Sequence, residues 1–142
     1  MLTIQRLSYD DAAILISGAE AKAQEIGVPM CIAIVDDCGY LIAFKRMDHA
    51  KELSTTLAQD KAFTAAISKK TTADYNAAAV PGNLTNGIQS AAGGRFSTVG
   101  GGIPVVKDGA VVGAIGLSGG AAEQDIACAE AGLQAFFAVN PA

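Results

Sequence analysis

Residues 99–117, VGGGIPVVKDGAVVGAIGL, decide the fold. Two apolar runs, 99–106 and 110–117, flank Lys107-Asp108-Gly109. A short polar turn carrying Gly where φ turns positive, set between two strand-prone runs, reads as a β-hairpin. A second hairpin lies upstream. Residues 30–35 form one arm, Asp36-Asp37-Cys38-Gly39 the turn, and residues 40–45 the other arm. Hairpins pair their strands antiparallel. The chain therefore reads as α+β, with helices against an antiparallel sheet, and not as a doubly wound parallel sheet.

Helical patterns surround the hairpins. Ser8 opens the first with a capping box in which Asp11 stands for the usual Glu. Ala12, Leu15, Ile16, Ala19, Ala23 and Ile26 follow on one stripe, and Gly27 and Pro29 end it. A second helix runs from Ser54 to about Lys69, apolar over most of its surface and interrupted by Asp60 and Lys61. Such a helix is covered on several sides, by the sheet and by another subunit. Thr72 caps a short helix through Ala79. Residues 84–98 read as loop with one helical turn near Ile88, a candidate lid. The last helix runs from about Ala121 to Val139. Ile126, Ala129, Leu133 and Phe136 face inward, and Glu123 and Asp125 sit in the first turn as dipole charges. Gly132 in mid-helix points to close packing against another backbone.

The length of 142 residues fits one domain, 1–142, without linker or repeat. Alanine and glycine, 28 and 16 residues, are nearly a third of it, while aromatics are 6% and Trp is absent. Large rings cannot build this core. A net charge of −4 and scattered basic residues argue against a nucleic-acid module, which needs a basic stripe. No apolar run approaches the ~20 residues that cross a bilayer. The N-terminal residues lack a signal-peptide pattern, so the cytoplasm is the default location. Three cysteines without a CxxC pair and one histidine offer no zinc set. The thiols read as small buried or turn residues, Cys38 being the most exposed, and no metal is expected.

Two groups of residues are candidates for chemistry. Gly100, Gly101 and Gly102 precede one strand of the second hairpin, and Ser118, Gly119 and Gly120 follow its partner. If Val106 faces Val111, Gly101 faces Gly116 and the clusters meet where the last helix begins. Free backbone N–H groups there suit a carboxylate or phosphate, though neither a P-loop nor a dinucleotide fingerprint is present. The alternative is that these glycines only permit tight packing. Beside the first hairpin, Arg46 and Asp48 flank His49, the one histidine. Arg46 suits a carboxylate, His49 a proton or a haem iron, and Asp48 the orientation of the imidazole. The alternative is a solvated loop. Lys61, in an apolar helix, reads as a base, an anion contact or a Schiff-base amine, or as a stem paired with an acid.

These motifs resemble one family. Residues 35–41, VDDCGYL, with Phe44-Lys45-Arg46-Met47-Asp48, then Lys61-Ala62-Phe63-Thr64-Ala65, Gly101-Gly102-Ile103-Pro104 and residues 113–120, GAIGLSGG, with Glu123-Gln124-Asp125, are similar in order to the GlcG/HbpS-like proteins. That group also includes the C-terminal domain of PduO-type proteins. The resemblance spans nearly the whole chain. It implies a three-layered domain with about five antiparallel strands, homo-oligomers such as tetramers or octamers, and haem or corrinoid chemistry, including a haem-degrading label. Many relatives carry Gly where this chain has His49. With no other histidine, an axial haem ligand falls to His49, Met47, a tyrosine or a thiol.

Three functions follow. One is an oligomer that binds haem, another tetrapyrrole or a small anion, with haem breakdown as an extension. The second is a catabolic enzyme that moves protons on an organic acid, using Arg46, Asp48, His49 or Lys61 beside the glycine cradle. The third is a non-catalytic accessory oligomer.

Overall fold

A computed structural model describes all 142 residues. Helix α1, Tyr9–Ile26, leads into strands β1, Cys31–Asp36, and β2, Leu41–Arg46. Helix α2, Glu52–Ser68, follows, then 3-10 turns at Thr72–Tyr75, Ala77–Ala79 and Ile88–Ser90 and a four-residue helix α3, Ala91–Gly94. Strands β3, Gly102–Lys107, and β4, Ala110–Ser118, precede helix α4, Ala122–Val139. The strands form one antiparallel sheet in the order β2-β1-β4-β3. Helices α1 and α4 pack together on one face, and α2 lies on the other. The sheet has four strands instead of about five. The N-terminal arm contributes only the Leu7 N–H bond to Val112 O (3.0 Å), just past the last β1–β4 pair, Asp36–Gly113.

Local chemistry fixes the element ends. The Ser8 hydroxyl accepts from Asp11 N–H (3.1 Å) while Asp11 accepts from Ser8 N–H (2.8 Å), a cap worth about 1 kcal/mol. Gly27 closes α1 in the left-handed conformation, φ 70°. Asp108 and Gly109, φ 51° and 77°, form the two-residue turn that matches strand twist.

Strand alternation divides β1 between two unequal cores. Ile32 and Ile34 join Leu15, Met30, Ile115, Leu117 and Phe136 beneath α1 and α4. Cys31, Ala33 and Val35 meet Ala58, Ala62, Ala65 and Ala66 of α2. The α2 core is made of methyl groups, so α2 lies almost backbone-to-backbone on the sheet. A Cβ on Gly102 would collide with the Lys61 carbonyl, and one on Gly116 with that of Ala58. The same reasoning explains Gly132, where a Cβ would meet Leu15 O at 2.7 Å. Close α1–α4 packing offsets its cost of ~1 kcal/mol. No helix is long and apolar enough to cross a membrane.

Candidate ligand site

The expected residues fall into two places. At the end of β2, Arg46 pairs with Cys31, and Met47 N–H bonds to Met30 O (3.0 Å). The Met47 sulfur turns inward and accepts from Met30 N–H (3.4 Å). Ala50 N–H bonds to Met47 O (3.1 Å) and Ala50 is buried, which closes a tight turn. Asp48 and His49 occupy its tip and are exposed. His49 has φ 71°, a conformation that suits Gly and strains a β-carbon residue. Arg46 and Asp48 form no ion pair, and neither bonds to His49. Beside this turn lies a groove of about 380 Å³ that includes Arg46, Met47, Asp48 and Gln24, with the Lys45–Glu20 ion pair on its wall.

The glycine clusters meet at the same end of the sheet, on the far side of β1, where β4 ends and β3 begins. A bulge between Val105 and Val106 shifts the pairing, so Gly102 faces Gly116, and Gly101 O accepts from Leu117 N–H (3.0 Å). The amides expected to face a ligand face the protein instead. Gly102 N–H donates to the Thr72 hydroxyl (3.0 Å), and Gly120 N–H donates to Asp125 Oδ1 (2.9 Å). An anion does sit at this cradle: it is the chain's own Asp125. Its other oxygen accepts from Lys61 Nζ (2.9 Å), which also donates to Leu117 O (2.9 Å). Lys61 is 1% exposed, so its ammonium binds α2 to β4 and to the start of α4. The Ser118 and Ser54 hydroxyls bond at 3.2 Å close by. None of the five main grooves is lined by Gly100, Gly101, Gly102, Ser118, Gly119 or Gly120.

Arg46 makes no bond to this cradle. It pairs with Cys31, which in turn pairs with Ser118, so it lies two strands away, about 10 Å between backbones. Asp125 is the residue that sequence reasoning placed too simply, as a helix-end charge. The signal was Lys61 itself, since a buried ammonium needs a counter-charge. Asp36, Asp37 and Cys38 bring three donor atoms together at the first turn. Asp36 Oδ1, however, already accepts from Cys38 and Tyr40 N–H, and Asp37 is paired with Arg6.

The thiols divide as expected. Cys31 and Cys128 are buried and Cys38 is exposed. Burial pushes the Cys31 thiol up, and burial with the nearby Asp125 carboxylate pushes Cys128 up to about 11.

Comparisons with known proteins agree with this architecture. Residues 7–134 match the family described as "Haem degrading protein HbpS-like". A 15.0 kDa protein from the dhaT-dhaS intergenic region of Citrobacter freundii is 38% identical over 133 residues, 94% of each chain. The crystal structure of Klebsiella pneumoniae ORFY is similar with a TM-score of 0.96 at 33% identity, over 98% of this chain and 96% of that one. A PduOC:haem complex superposes with a TM-score of 0.88 at 35% identity, over 92% and 94% of the two chains. Four antiparallel strands between unequal helical layers, with the motif residues at the strand ends and in α2, thus accompany a sequence match along most of the chain, and the protein belongs to the HbpS-like haem-degrading family.

Proposed function

We propose that this chain is a haem- or tetrapyrrole-binding protein that works as a homo-oligomer, with the turn after β2 as its ligand site. The observation that carries the reading is the haem complex of a relative 35% identical to it and alike over nine-tenths of its length. The residues at the turn suit such a ligand. His49, the chain's one imidazole, exposed and without a partner, would bind the iron. Arg46, exposed and unpaired, would hold a propionate. When bound, the iron would supply redox and ligand-exchange chemistry. The main grooves of one copy are open and span about 260 to 500 Å³. A macrocycle on so open a surface needs a second wall, which a further copy would provide.

Titration with haem tests this reading, followed in the Soret region and by size-exclusion chromatography. The expected result is a saturable Soret shift on an oligomer, weakened in Arg46→Ala. A flat titration would end it. Proton transfer on an organic acid is less well supported. Lys61 lacks solvent access, and the amides beside it already hold a carboxylate.

A further inference from the structure

At the other end of β2 a separate groove of about 410 Å³ opens between the first hairpin and α2. Tyr40, Leu41, Thr56, Gln59, Asp60 and Arg95 border it. Arg95 is held in place on two sides. Its Nε–H donates to Asp60 Oδ1 (3.2 Å), and its guanidinium stacks 3.9 Å from the centroid of the Phe63 ring. Its two terminal nitrogens have no partner within the chain. A stacked, tethered guanidinium loses little freedom on binding, and its remaining N–H edge matches a carboxylate.

The same groove presents unused acceptors. Gln59 donates its amide nitrogen to Thr55 O (3.0 Å), which leaves its Oε1 free. Asp60 Oδ2 and the Thr56 hydroxyl are also without partners. One positive and one negative group make the groove neutral overall. A plain carboxylate would gain the guanidinium but meet the Asp60 charge, and a plain amine would meet the reverse. A zwitterion satisfies both, because an ammonium brings three donors to these three acceptors. Leu41 and Tyr40, both exposed, add an apolar wall.

We propose that this groove binds a zwitterionic α-amino acid with an apolar side chain, its carboxylate on Arg95 and its ammonium toward Asp60, Gln59 and Thr56. The site is separated from His49 by the length of β2, about 20 Å. It therefore stands or falls independently of haem.

Amide NMR titration of the full chain tests it, using the aliphatic and aromatic L-amino acids alongside their carboxamides and their deaminated acids. Saturable shifts at Tyr40, Gln59 and Arg95 are expected with the zwitterions. Loss of either charge should weaken binding about tenfold or more, the effect of removing a charged hydrogen-bonding partner. Arg95→Gln should do the same. Thr56→Val, an exposed change remote from the Phe63 stack, should weaken binding by a smaller factor with the fold intact. No saturable shift with any amino acid up to ~20 mM, a range that reaches the weak millimolar complexes, would overturn the proposal. So would equal binding of the carboxamides or the acids, or shifts centred elsewhere.

Discussion

Removing the carboxylate of Asp125 should unfold this protein more readily than any surface change. The Lys61 and Asp125 side chains are 1% and 3% exposed, and their charged atoms lie 2.9 Å apart. Asp125→Ala leaves the ammonium in the core with only Leu117 O, and it strips Gly120 N–H of its acceptor. Breaking a buried pair from one side costs about 3–5 kcal/mol. A domain of this size is stable by about 5–15 kcal/mol, so from about a fifth to all of it would go. The melting temperature should fall by roughly 10–20 °C. Asp125→Asn keeps an acceptor for Gly120 and isolates the charge, so it should cost less than Asp125→Ala. The double variant Lys61→Met, Asp125→Leu buries no charge, though it leaves Leu117 O and Gly120 N–H without partners. It should be more stable than Asp125→Ala alone. Urea unfolding followed by circular dichroism gives these values, with Lys61→Met alone and Asp125→Leu alone completing the cycle. Single losses under about 1 kcal/mol, or additive losses in the double variant, would refute the reasoning, because coupled sites must depart from additivity.

The packing and the titrating groups carry further predictions. Gly102→Ala puts a methyl into the Lys61 carbonyl and should cost about 1–3 kcal/mol or more in thermal melts, as overpacking does. A maleimide or disulfide reagent near pH 8 should label Cys38 quickly and spare Cys31 and Cys128 until the protein unfolds. Because the folded Cys128 thiol lies at about 11 and its reference value at 9.0, its contribution to stability is present below 9 and is lost as pH rises through about 11. The Arg6 guanidinium holds the Asp37 carboxyl below its usual range, so that contribution is present above the unfolded value and is lost as pH falls through the folded one. Arg6→Ala should therefore shift acid unfolding, followed by circular dichroism, to higher pH.

The sequence made the hairpins legible because their signals are local: polar turns with Gly at left-handed positions, between runs of β-prone residues. It also placed the two glycine clusters together, since hairpin register follows from the turn. The bulge between Val105 and Val106, which swaps Gly101 for Gly102 opposite Gly116, has no local mark. Asp125 does sit in the first turn of α4 as expected, but its ion pair was missed for a different reason. Its partner Lys61 is 64 residues away, and only the approach of α2 to the start of α4 joins them. The Arg95 groove was invisible for the same cause. It draws on the first hairpin, α2 and the end of the loop before β3, and no periodicity links these segments. The four strands differ from the expected five because the arm before α1 makes one ladder-like bond and no more.

The His49 backbone gives the central claim its cleanest test. At φ 71° a glycine is at ease, so His49→Gly removes the imidazole without disturbing the turn and should leave the melting temperature unchanged or slightly raised. The measurement is the Soret spectrum of the haem-loaded protein beside that of His49→Gly. A tetrapyrrole held through the turn after β2 predicts a band that shifts toward free haem in the variant while the fold is retained. An identical spectrum and affinity in the two proteins would contradict it.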